Sequence, residues 1–186
     1  SQGSADGTGT AASFKVPISV AVDGSGNVYV AEYVNNLIRK ITSGGVVTTL
    51  AGSGSEGSAD GTGTAASFSG PSGVAVDGSG NVYVGDSNNN LVRKITSGGV
   101  VTTLAGSGSA GSANGTGTAA SFKFPVGVAV DGSGNVYVGD GNNHLIRKIT
   151  SGGVVTTLAG GSKGSADGTG TAASFNEPRG VAVDGS

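Results

Sequence analysis

The run VAVDGS begins at Val20, Val74, Val128 and Val181, so the chain repeats itself at spacings of 54, 54 and 53 residues. No other feature constrains the fold as much. A chain of near-copies folds as an array in which each unit buries its apolar surface against the next. The spacing divides the 186 residues into full units 1–54, 55–108 and 109–161 and a partial unit 162–186. Inside a unit, apolar residues come in short β-branched runs bounded by Gly, Ser, Asn and Asp, which predicts strands and turns rather than helices. In the first unit the strands are Val20–Asp23, Val28–Val30, Leu37–Ile41 and Val46–Leu50. Between them DGSGN, residues 23–27, and TSGG, residues 42–45, supply turns whose Gly and Asn accept positive φ or bond locally. Four short antiparallel strands at this period predict the blade of a β-propeller. The expected fold is therefore all-β, with three full four-stranded blades plus the first strand of a fourth. The stretch Ser4–Phe14, SADGTGTAASF, reads as an inter-blade connection with one helical turn in TAAS and Phe14 as a plug between blades.

Composition removes several classes of function. Glycine accounts for 38 residues without a triplet period, which excludes collagen. Cysteine is absent, so disulfides, thiolate metal sites and cysteine nucleophiles are excluded. The formal charge is −2 and the basic residues are scattered, which gives no footprint for nucleic acid. Apolar runs are too short for a spanning helix, and no signal peptide is visible. Because methionine is also absent, the expectation is a processed form or a piece of something longer.

Three motifs recur in order along the units: Pro71–Asp77 (PSGVAVD), Gly80–Val84 (GNVYV) and Asp86–Ile95 (DSNNNLVRKI). Each unit thereby resembles an NHL repeat of the bacterial extracellular type, and the third contains Asn143, His144 and Leu145 in sequence. The resemblance covers essentially the whole chain. It implies six-bladed closure, of which three blades would be half, and the period alone does not show six.

His144 is the sole histidine, and Asn36 and Asn90 hold its position in the other units. A base or metal ligand would not be replaced by asparagine in two of three equivalent blades, so His144 reads as a turn residue. Gly7–Ala12 fits a loose G-x-G-x-x-A pattern but lacks the preceding parallel strand and following long helix that a dinucleotide loop requires. Each DGSGN turn offers one carboxylate where a calcium loop needs about six or seven oxygens. The Arg-Lys pairs 39–40, 93–94 and 147–148 lie on strands, with one side chain over the sheet and the other toward solvent or an acid such as Asp86. Asn114 begins an N-x-T glycosylation sequon where the other units have Asp. Metal-using lyase propellers related to this family need several histidines, and no nucleophile, base and orienter can be assembled here. Neither an enzyme nor a bound cofactor or metal is expected.

The full units differ at twelve positions, numbered as in the first: 2, 6, 15, 16, 18, 19, 31, 32, 33, 34, 36 and 38. Only Ile38/Val92/Ile146 is expected inside a strand core. The others fall in the inter-blade linker and the hairpin between strands two and three, which share one edge of an up-and-down blade. The DGSGN and TSGG turns share the opposite edge. Two readings stand: a recognition surface, or drift where backbone demands are weak. A recognition surface would comprise Glu32, Tyr33, Val34 and Asn36 in the first unit, Asp86, Ser87, Asn88 and Asn90 in the second, and Asp140, Asn142 and His144 in the third. Tyr33 and Val34 would be its most adhesive members.

An open array leaves aliphatic blade faces in water, and residues 162–186 repeat what 1–25 provide. Expected partners are further blades of a longer chain, a second copy completing a ring, or copies joined as a fibre. No nucleic acid or membrane insertion is expected. The resulting functional expectation is a secreted or surface-exposed protein- or glycan-interaction module, with a fibre subunit as the alternative.

Overall fold

The computed structural model describes residues 2–184; Ser1, Gly185 and Ser186, at the outer ends of the first and last expected units, lie outside the described residues. The chain is all-β, with three five-stranded antiparallel sheets in a propeller-like arrangement. The first sheet comprises β1 (Gly7–Thr8), β2 (Pro17–Val22), β3 (Val28–Glu32), β4 (Leu37–Ile41) and β5 (Val46–Ala51). The second comprises β6 (Gly61–Thr62), β7 (Pro71–Val76), β8 (Val82–Asp86), β9 (Leu91–Ile95) and β10 (Val100–Ala105). The third comprises β11 (Gly115–Thr116), β12 (Pro125–Val130), β13 (Val136–Asp140), β14 (Leu145–Ile149) and β15 (Val154–Gly160).

In space each sheet runs from the linker strand through the fourth, third and second long strands to the first, as in β1-β5-β4-β3-β2. The four long strands meander through tight turns. In the first turn, Asp23 accepts the amides of Ser25 and Asn27 at 2.9 Å, while Gly26 takes the positive φ. The four-strand description needs correction, because the linker entering each blade adds a two-residue edge strand. Thr8 pairs with Val46, Thr62 with Val100 and Thr116 with Val154. Such a strand is too short to show in the residue pattern, and its partner fixes it. The helical turn in the linker is 3-10 and lies one residue earlier than TAAS, at Gly9–Ala11 and its equivalents. The expected first strand of a fourth blade is also corrected. Val181–Asp184 joins no ladder among the described residues, since a strand exists only against a partner.

Neighbouring sheets stack face to face. Tyr29, Ala31, Ile38 and Ala51 of the first meet Val74, Val82, Val84, Ile95 and Val101 of the second, with Ala66 and Phe68 of the linker between them. The second and third sheets repeat this contact, with Phe122 in the place of Phe68. Phe68 and Phe122 are fully buried, as the plug role requires. The innermost strands approach closely enough that a Cβ on Gly73 would collide with the Val126 carbonyl.

Candidate functional site

The arginine of each LIRK or LVRK run points inward. Arg39, Arg93 and Arg147 are fully buried, and so are Glu32, Asp86 and Asp140. Register explains the pairing: Val30 faces Arg39 and Glu32 faces Leu37 across β3 and β4, which leaves the acid and the arginine on one face. The ion pairs Arg39–Glu32, Arg93–Asp86 and Arg147–Asp140 span 2.7, 2.9 and 2.9 Å. From the linker, Arg93 also reaches Asp60 at 2.7 Å and the carbonyls of Ala59 and Ser67 at 3.1 and 3.2 Å. Its guanidinium lies 5.3 Å from the Phe68 ring centre. In the third blade Asn114 replaces the linker carboxylate and accepts from Arg147 at 2.9 Å. The Nε of each of the three arginines is buried without a partner. Burial pushes the Asp86 and Asp140 carboxyls above their ordinary range, against the bonds donated by Asn89 or Asn143 and by the arginines. The adjacent lysines turn the other way, each ammonium 5.5–5.7 Å from a tyrosine ring centre: Lys40 on Tyr29, Lys94 on Tyr83 and Lys148 on Tyr137.

These pairs alter the expected recognition face. Glu32, Asp86, Asp140 and Ser87 are fully buried and do not reach its surface. Their variation between units exchanges one internal partner for another. Positions 31 and 32 also fall within β3, so strand interiors vary more than the loop boundaries suggested. Buried acids look like surface acids in a sequence. The signal for them was the constant arginine seven residues later, on the same face.

The remaining residues do line one edge. Val34, Asn88 and Asn142 are exposed, and Tyr33, Asn90 and His144 are half-buried. Tyr33 donates its hydroxyl to Asn88 across the blade boundary at 3.3 Å. Nearby, Ser58, Asn88, Asn89, Thr103 and Ser107 contribute to a polar recess of about 300 Å³. Asn36 and Asn90 bond the amides of Gly70 and Phe124, and His144 accepts the amide of Glu177 through Nδ1. Among the described residues, no three His, Cys, Asp or Glu side chains cluster as a metal site would need.

The sequence profile of the NHL repeat matches residues 68–95 and 122–149, spans that hold the plugging phenylalanine, three strands and the buried ion pair. The chain carries NHL repeats. The NHL chain is 37% identical over 94 residues to the Arabidopsis thaliana protein SUPPRESSOR OF QUENCHING 1, chloroplastic, and the match covers 50% of this chain and 9% of that protein. Among solved structures, it superposes on a Bacteroides thetaiotaomicron protein of unknown function with TM-score 0.73 and 28% identity, covering 90% of this chain and 42% of the other. An auxiliary nutrient binding protein from the same organism gives TM-score 0.69 at 19% identity, covering 89% and 42%. The NHL chain thus spans less than half the length of each of these proteins.

Proposed function

We propose that this chain is a non-enzymatic propeller segment acting as an extracellular protein- or glycan-interaction and assembly module. One observation carries the reading. The conserved-in-copy polar groups are engaged in holding blades together, whereas Tyr33, Val34, Asn88, Asn90, Asn142 and His144 give the variable edge an accessible mix of aromatic, aliphatic and amide groups. Planar amides beside an exposed tyrosine suit hydroxyl-rich or peptide ligands, which need both hydrogen bonds and a flat apolar contact. The structural neighbour described as an auxiliary nutrient binding protein lends analogy of fold to this reading.

A second reading, a fibre subunit built of near-identical blades, is favoured by the exposed outer valines of the first sheet. Particle mass by light scattering, together with electron microscopy, separates the two, since discrete particles fit the module and long polymers the fibre. Glycan and peptide arrays test the module directly. The substitutions Tyr33→Ala and Asn88→Ala should each weaken any captured ligand by about tenfold or more. Binding unchanged by both rejects this edge as the site.

A further inference from the structure

Each guanidinium described above sits in a socket made by the linker that precedes its blade. For Arg39 the socket atoms are the carbonyls of Ala5 and Ser13 at 3.0 and 3.2 Å, Asp6 at 2.6 Å and the ring of Phe14 at 5.2 Å. The last linker carries the same four residues, Ala166, Asp167, Ser174 and Phe175. Its internal bonds are also in place: Ala166 to the Ser174 hydroxyl at 2.7 Å, Ser174 to the Ala166 carbonyl at 2.9 Å and Gly164 to the Phe175 carbonyl at 2.9 Å. These residues line a recess of about 510 Å³ that no described guanidinium enters; Arg179 instead pairs with Glu177 at 3.2 Å.

The blade faces complement one another in the same way. Val20 is 62% exposed on the first sheet, whereas its equivalents Val74 and Val128 are 5% and 7% exposed under a neighbouring sheet. On the far side of the third sheet, Tyr137, Ile146 and Leu158 line a groove of about 540 Å³ bordered by Val181–Asp184. These two open faces are the halves of the interface that the three sheets make twice internally.

We infer that Ala166, Asp167, Ser174 and Phe175 form an arginine-binding socket whose ligand is Arg39 of a second copy, reached by exchange of residues 163–184 for that copy's residues 2–23. The two segments differ at five positions (2/163, 15/176, 16/177, 18/179 and 19/180), none of them a socket residue. Exchange therefore preserves the bonds to Arg39 in kind. The net gain is burial of the two open faces against each other, and a head-to-tail contact of this sort propagates unless its rotation closes a ring. The inference rests on the assembly half of the proposed function.

Because the chain has no cysteine, a disulfide trap reads the exchange directly. Thr8 faces Val46 within one copy, so in the exchanged arrangement Thr169 of one copy faces Val46 of the other. The double variant Val46→Cys/Thr169→Cys, oxidised in the full chain, should form linked multimers at about five times the level of either single-cysteine variant or more. Adding Asp167→Ala or Phe175→Ala should reduce the linked fraction by about fivefold, while Asp167→Asn should retain it, as Asn114 does for Arg147. No linkage above the single-cysteine background, or linkage indifferent to Asp167→Ala, overturns the socket. Sedimentation of the unsubstituted chain keeps the two questions apart. Self-association that survives Asp167→Ala leaves assembly standing and removes only the socket.

Discussion

Nδ1 of His144 accepts the amide of Glu177 across 3.2 Å, the bond that Asn36 makes to Gly70 and Asn90 to Phe124 with side-chain oxygens at 3.0 Å. All three residues hold left-handed backbone, with φ of 60°, 54° and 55°. The imidazole stands in for an amide, which places its proton on Nε2 and ties the turn of one blade to the start of the next first strand. His144→Asn should therefore leave the melting temperature unchanged or raise it. His144→Ala should cost about 1–2 kcal/mol through a lost acceptor and a less tolerant left-handed residue. Thermal unfolding followed by circular dichroism checks both. An equal loss in the two variants would count against the latch.

Arg93 neutralises two carboxylates, one fully buried and one half-exposed, so the two acids should respond differently. Arg93→Met strands Asp86 in the interior and should destabilise by about 3 kcal/mol or more. Asp60→Asn copies what Asn114 already does in the third blade and should cost under about 1 kcal/mol. Urea unfolding midpoints decide, and comparable losses for the two would refute the asymmetry.

Val16 holds φ of 51°, where a β-branched side chain is crowded, and the second unit has Gly70 at this position with φ of 59°. The Val16 side chain is 46% exposed, so little packing is lost on removing it. Val16→Gly should gain about 1 kcal/mol, seen as a melting temperature higher by about 2–4 °C. A lower value would show that the strain is negligible beside the entropy glycine adds to the unfolded chain.

Bonds from the Asn27 side chain, then from turn amides and the Tyr29 hydroxyl, hold Asp23 down to about 2. Asp131 is lowered in the same way, by Asn135 first. A carboxyl lower in the folded than the unfolded state, where it titrates near about 4, stabilises above that pH, and the contribution is lost as pH falls toward 2. Asp86 and Asp140, raised by burial, act in the opposite sense and make the acid curve shallower. Unfolding midpoints between pH 5 and 2 should decline, and Asp23→Asn should flatten the decline. At the alkaline end Tyr29 is pushed up to about 12 by burial and by Asp23. Its contribution is complete below pH 10 and vanishes as pH rises through 12. Carboxyl-carbon chemical shifts that place Asp23 near its ordinary value would contradict the turn argument.

Much of this was legible in advance. The VAVD, VYV, LIRKI and VVTTL runs became long strands within a few residues of where their composition places them, because turn chemistry at DGSGN and TSGG bounds them on both sides. His144 could be assigned to a turn because two asparagines occupy its position. The edge strand at Gly7–Thr8 was not legible, since two residues carry no periodicity of their own. Nor was the burial of Glu32, which next to Tyr33 and Val34 looks like part of a solvent-facing hairpin.

The sequence by itself determined the repeat length, the strand order within a unit, the turns and the plugging phenylalanine, because all of these follow from local conformational preference and from the period of the copies. Only the tertiary structure decided which acids face inward, which linker holds which arginine, and which valines stay in water. Alternation along a strand separates two faces, but what covers each face depends on the neighbouring sheet, and Val20 and Val74, identical in their local sequence from VAVDGS onward, end at 62% and 5% exposure for that reason alone.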